Sequence, residues 1–309
     1  MCIQTVIPAL FPFFVLSSIL ASSLNKLPRF FLKLFRVSPL GGSVLLTGLS
    51  GGYPVGAKTV SEAYTDGLIS RQEAERILPL CNQCGPAFIF GLTMQLFQDV
   101  RICLLLWGIQ LICVLLMTWT IPVVPVTHTR VASPKPISWS EALHRGLRAM
   151  ATVCGWIILF RLLIQFLQRW FLWKLPLPCQ IIISGILELT NGCMASQQIS
   201  NENFRFLICV AVISFGGLCV TMQSFSVLHP DLKRSGYFPG KVMQTAYSVF
   251  LVSAPVQGIC PATIISGIVA LFCVLFFRKS KNTVAFQKKM LYNGSIKDTR
   301  ELLCSSEKR

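Results

Sequence analysis

Charge is what this sequence has least of. Only 13% of its 309 residues are charged against 53% hydrophobic, a balance too apolar for an ordinary soluble domain. Histidine is nearly absent, and the three present (His128, His144, His229) fall in predicted loops. No GxSxG, HExxH or Walker sequence occurs, so the common hydrolytic and nucleotide-cleaving chemistries have no carrier. No enzyme activity and no cofactor is expected. The thirteen cysteines do not fill the gap. Most, such as Cys103, Cys113, Cys209 and Cys273, lie inside apolar runs, where cysteine acts as a small hydrophobe. Cys81 and Cys84 form a CxxC, but no second pair or nearby histidine completes a zinc site.

What is abundant is apolar length. Residues 3–24, 102–121, 150–171, 241–258 and 259–277 each approach or exceed the roughly 20 residues that cross a hydrocarbon core. The first lacks a basic leading region and runs longer than a signal-peptide core, so it reads as a span. The expected fold is an all-α polytopic membrane protein. Its net charge of +16 does not point to nucleic acid, because the basic residues cluster beside the ends of apolar segments. Membrane lipid is the expected partner for that charge.

Two apolar stretches are broken in matching places: LLTGLSGGYPVGAK at 45–58 and IIISGILELTNGC at 181–193. A helix in lipid has reason to stay continuous, because each unpaired backbone group there costs several kcal/mol. Paired breaks in two halves point to a transporter's substrate site. Reading each as a re-entrant hairpin (40–66 and 176–200) and every other long segment as a span gives a topology that the charges test. The first repeat, 1–121, holds a span, the hairpin, a broken span at 72–97 and a span. A cytoplasmic linker at 122–149 carries a basic amphipathic helix. The second repeat, 150–278, has a span, the second hairpin, a broken span at 204–228 and two spans; a basic cytoplasmic tail occupies 279–309. With the N-terminus outside, twenty-two Lys and Arg fall inside, the Lys241 that opens the 241–258 span counted with the loop before it. Four (Arg101, Arg169, Lys174, Arg205) fall outside, and Lys58 and Arg161 stay within the membrane, which accounts for all 28. That asymmetry obeys the positive-inside rule, and the two hairpins then enter from opposite faces as an inverted-topology repeat.

The breaks carry the candidate binding residues. Gly52, Tyr53, Pro54 and Gly56 form an unwound tip, and the helix restarting after it aims free N–H groups at an anion. Gly48, Gly52 and Gly56 also recur at the spacing of a dimerising helix face, which leaves a homo-oligomer open. Lys58 is either a snorkelling lysine or the counter-charge for an anionic substrate, and its place in a hairpin favours the second. Asn82 and Gln83 either bind substrate or satisfy the carbonyls freed by Pro86. Ser214 and Gln223 mark the equivalent kink of the second half. Glu188, with Thr190 and Asn191, either couples a proton or cation, pairs with Lys58, or simply caps its helix. Arg161 reads as a structural or snorkelling residue.

The order of these motifs resembles the nucleoside-recognition, or Gate, family of membrane proteins. Within it the closer likeness is to the sporulation branch of endospore formers, associated with dipicolinate transport. The resemblance rests on PALFPFF at 8–14, GGYPVGAK at 51–58, ISRQEAERI at 69–77, CNQCGPAFIFG at 81–91, GILELTNG at 185–192, and SFGG with Gln223. It spans roughly residues 3–255. It implies transport of a small anionic solute, plausibly dipicolinate, across the mother-cell or forespore membrane. Members carry a further apolar segment ahead of the PALFPFF-like stretch that is absent from this sequence.

Overall fold

The computed structural model describes residues 7–23, 27–123, 137–257, 264–275 and 277. Among them the regular elements are helices and no strand occurs. The predicted tail at 279–309 and the early part of the predicted linker lie outside the described residues.

Helix α1 (Ile7–Ser23) is followed by the short α2 (Arg29–Phe35), and the chain then bends by 78° into α3 (Pro39–Gly51). Ser38 starts α3 by accepting the Gly41 N–H, and Pro39 sits in the first turn, where its missing donor is not needed. The helix stops at Gly52 and resumes as α4 (Val55–Thr65) after Pro54. Ser70 opens α5 (Arg71–Cys81) by accepting the Glu73 N–H. That helix ends at Asn82, and α6 (Pro86–Phe97) begins on a proline that holds Gly85 extended.

Helix α7 (Val100–Thr120) is unbroken. Helix α8 (Trp139–Trp170) fuses the amphipathic segment 139–149 with the apolar segment after it, since no proline separates them. Helices α9 (Leu177–Leu187) and α10 (Leu189–Ala195) meet at Glu188, and α11 (Glu202–Phe215) and α12 (Gly217–Ser226) meet at Gly216. Two more follow, α13 (Tyr237–Gln257) and α14 (Ile264–Leu275).

Among the described residues four stretches are long and apolar enough to cross a membrane: α5 with α6, α7, α8, and α11 with α12. The bent pair α2–α3 makes up to five. Helix α8 exposes Ile158, Leu159, Leu162 and Phe166, side chains that belong against lipid rather than water.

Among the described residues three apolar clusters form the interior, the smallest joining α1, α4 and α8 through Phe14, Val55, Met150 and Val153. Of the two larger ones, the first gathers Leu45, Val60, Ile77, Leu80, Met117 and Met243; the second gathers Ile89, Leu106, Ile181, Leu189, Ile208 and Val252. The broken span α5–α6, α7 and α13 each contribute one end to the first cluster and the other end to the second. Their buried polar residues (Asn82 and Gln83, Gln110, Lys241 and Gln244) fall where each crosses over. A polar layer inside a doubly apolar protein is costly unless every group is bonded, and that layer is the place to look for function.

Candidate functional site

The first hairpin tip is stitched to the first broken span. Gly52 has φ +74°, and a β-carbon there would lie 2.4 Å from the Gly85 nitrogen. Only glycine permits both the backbone angle and the approach. The Tyr53 N–H then donates to the Gln83 carbonyl at 2.6 Å, and the Ala57 N–H to Asn82 Oδ1 at 3.3 Å. The second half repeats this contact: at Gly217 a β-carbon would sit 3.2 Å from both the Gly185 oxygen and the Leu189 nitrogen. Tyr53 joins the halves, its ring 3.6 Å from where a Gly216 β-carbon would be. The first tip thus touches the breaks at 82–85 and 216, and Gly217 in turn touches the break at Glu188.

At this junction lies Lys241, which is 1% exposed. Its Nζ donates to the Asn82 carbonyl (2.6 Å), Gln83 Oε1 (3.1 Å) and Gln244 Oε1 (3.1 Å). Three donors meet three acceptors, so the ammonium is complete in hydrogen bonds. Every acceptor is neutral. The faces of Tyr53 and Tyr237 lie 5.7 and 5.9 Å from the nitrogen, and no carboxylate pairs with it among the described residues. A buried ammonium without a counter-ion is expensive, and such groups in membrane proteins mark functional sites.

A chain of hydrogen bonds runs away from Lys241. Gln244 Nε2 donates to Gln110 Oε1 at 2.6 Å, Gln110 Nε2 to Ser214 Oγ at 2.8 Å, and Ser214 Oγ to Ser248 Oγ at 2.8 Å. On the other side Asn82 Nδ2 donates to Ser224 Oγ and to the Tyr237 hydroxyl, each at 2.7 Å. The Tyr53 hydroxyl is buried beside the Cys84 and Cys193 thiols.

The structure therefore brings together Gly52, Tyr53, Asn82, Gln83 and Ser214 from the sequence-predicted set, with Pro54 at the same tip. Gly56 packs the tip's return helix on α5, where a β-carbon would lie 2.5 Å from the Cys81 oxygen. Others lie apart from the chain. Lys58 Nζ donates to the Phe14 carbonyl at 3.1 Å and pairs with Glu62 at 3.0 Å; its ion-pair partner is Glu62, not Glu188. Arg145 approaches the same Glu62 at 3.7 Å. Glu188 caps α10, its two oxygens accepting the N–H groups of Thr190 (3.0 Å) and Asn191 (2.8 Å). The Asn191 side chain accepts from Arg161 at 3.4 Å, and Gln223 donates to Cys219 Sγ one turn back.

Lys241 is a correction. Counted by charge with the loop preceding its helix, it is instead in the interior, because α13 begins four residues earlier at Tyr237. A signal was present: Tyr237, Lys241, Gln244 and Ser248 recur at helical spacing and so line one face. Gln110 gave no such signal, a lone amide in an apolar run.

Comparison with known proteins adds one relative. The chain is 27% identical over 299 residues to the sporulation integral membrane protein YlbJ of Bacillus subtilis (strain 168), covering 81% of this chain and 73% of that protein. The likeness is to a sporulation membrane protein. No family model matches the chain, and no solved structure does. With the apolar helices, the match supports a multi-pass integral membrane protein related to the sporulation proteins.

Proposed function

We propose that this protein is a secondary transporter of a small organic anion. In this reading α3–α4 and α9–α10 are re-entrant hairpins of an inverted repeat, entering from opposite faces, with the N-terminus outside and the C-terminus cytoplasmic. The observation that carries it is the Lys241 ammonium, held at the break of α5–α6 beside the first hairpin tip by neutral oxygens alone. An arriving carboxylate supplies the missing charge, and two tyrosine rings beside the nitrogen offer faces to an aromatic solute. Alternation of the hairpins against the broken spans would expose this layer to each side in turn.

Dipicolinate, an aromatic dicarboxylate, is the substrate we propose, in line with the motif resemblance and with a relative named for sporulation. A dianion would engage Lys241 through one carboxylate and the amides of Asn82, Gln83 or Gln244 through the other. The neutral amide chain favours a second reading, a nucleoside or other uncharged polar solute recognised by hydrogen bonds. Uptake of labelled dipicolinate into proteoliposomes decides between them. Uptake above empty vesicles, competed by aromatic dicarboxylates and not by nucleosides, supports the anion reading. Competition by nucleosides alone supports the second, and no uptake of either solute refutes both.

A further inference from the structure

Two cavities meet at Arg36, and no residue of the Lys241 chain lines either. One, of about 380 Å³, is lined by Lys33, Arg36, Glu73 and Arg76; the other, of about 470 Å³, runs past Arg36 over Trp119 and Tyr247. The first is a basic pocket with three cations and one carboxylate. The carboxylate is engaged, since Glu73 Oε1 accepts the Ser38 N–H at 2.8 Å. Arg76, 6% exposed, gives its terminal nitrogens to the carbonyls of Arg36 (3.0 Å) and Thr118 (3.2 Å), while its Nε has no partner among the described residues. Arg36 and Lys33 form no ion pair among the described residues. Arg36 lies over the Trp119 ring at 5.3 Å and is held at φ +55°, a left-handed backbone that side-chain-bearing residues rarely adopt.

The second cavity is walled mostly by apolar side chains, with Arg36 and Thr120 among them. Trp119 and Leu116 on its wall are 61% and 41% exposed, beside the end of a membrane-length helix. Trp at such an end sits at the headgroup level, and basic pockets between helices there suit anionic headgroups. A free phosphate would occupy the basic pocket and leave the adjoining groove bare. A lipid fills both.

We propose that this paired cavity binds one anionic phospholipid, its phosphate against Lys33, Arg36 and Arg76 and an acyl chain along the Trp119–Tyr247 groove. The site is independent of what the protein transports. The charge pattern places it on the cytoplasmic side, where the leaflet is anionic.

The test uses the full-length chain, delipidated in neutral detergent and titrated with phosphatidylglycerol, phosphatidylcholine or glycerol 1-phosphate, with bound lipid counted by native mass spectrometry. Phosphatidylglycerol is expected to bind at least about tenfold more tightly than phosphatidylcholine, and millimolar glycerol 1-phosphate should not displace it. Lys33→Gln with Arg36→Gln should weaken binding about thirtyfold, and the exposed Lys33→Gln alone about fivefold. Arg169→Gln with Lys174→Gln, at the far end of α8, should leave it unchanged. Equal binding of both lipids, displacement by glycerol 1-phosphate, or wild-type affinity in Lys33→Gln overturns the proposal.

Discussion

The Lys241 ammonium donates to the main-chain oxygen of Asn82 at 2.6 Å, joining α13 to the break in α5–α6 across 159 residues of sequence. That bond ties the only irregular backbone of the broken span to a buried positive charge. The carbonyl is free to accept because the helix stops there, and the lysine is held away from solvent because the break gives it acceptors.

Replacing Lys241 separates charge from packing. Lys241→Met removes the charge but strands three oxygens, each worth about 1–3 kcal/mol when buried without a partner. A lowered thermal midpoint is expected together with at least a tenfold loss of dipicolinate uptake in proteoliposomes. Lys241→Arg keeps the charge and should retain measurable uptake. Wild-type transport by folded Lys241→Met would remove the lysine from the site.

Asn82→Asp is nearly isosteric and places a carboxylate on the residue whose carbonyl Lys241 already holds. The Ser224 and Tyr237 hydroxyls can turn to donate to it, so the fold should persist. The new negative charge satisfies Lys241 internally. Anion uptake should fall at least about tenfold, since an attraction worth 1–3 kcal/mol is lost to the substrate. Unchanged uptake in a normally folded variant would show that the counter-charge vacancy does not select the solute.

Glu188 is expected to act on stability through its two cap bonds. Glu188→Ala should cost about 0.5–2 kcal/mol, seen as a lower thermal midpoint, and Glu188→Asp should recover part of it. Equal midpoints for Glu188→Ala and the wild type would deny the cap any weight.

Gly52→Ala should be severe. It combines a positive φ with a β-carbon 2.4 Å from the Gly85 backbone, and loss of folded protein is expected, with a cost above about 2 kcal/mol. Gly91→Ala, on a helix with no atom within 4 Å of the added carbon, should gain up to about 1 kcal/mol. Chemical denaturation of the two in parallel measures the contrast.

Much of the site's scaffold is legible in local chemistry. Pro54 and Pro86, each preceded by glycine within two residues, and the Gly216–Gly217 pair mark the breaks at 52–54, 82–85 and 216, whereas Pro12 and Pro79, without such glycines, stay inside α1 and α5. Lys58 is visible too, but its role is not. An intramembrane lysine reads as a counter-charge until its fourth neighbour, Glu62, is seen to hold it. For Lys241 the reverse applies: charge counting draws it toward the loop, and only the packing of α13 against α5 and α7 carries it inside.

By itself, the sequence determined a helical membrane protein, since continuous apolar runs of about 20 residues satisfy their own backbone in lipid as helices whereas a barrel needs alternating strands, and it determined where its helices break. The tertiary structure alone decided that the Lys241 charge is buried with no carboxylate beside it among the described residues. Hydrophobic period and helix-breaking residues are local properties. Lys58 finds Glu62 one turn along its own helix, a local pair, whereas the partners of Lys241 depend on which faces of distant helices meet, and the packing of α13 against α5 and α7 gave it only neutral oxygens.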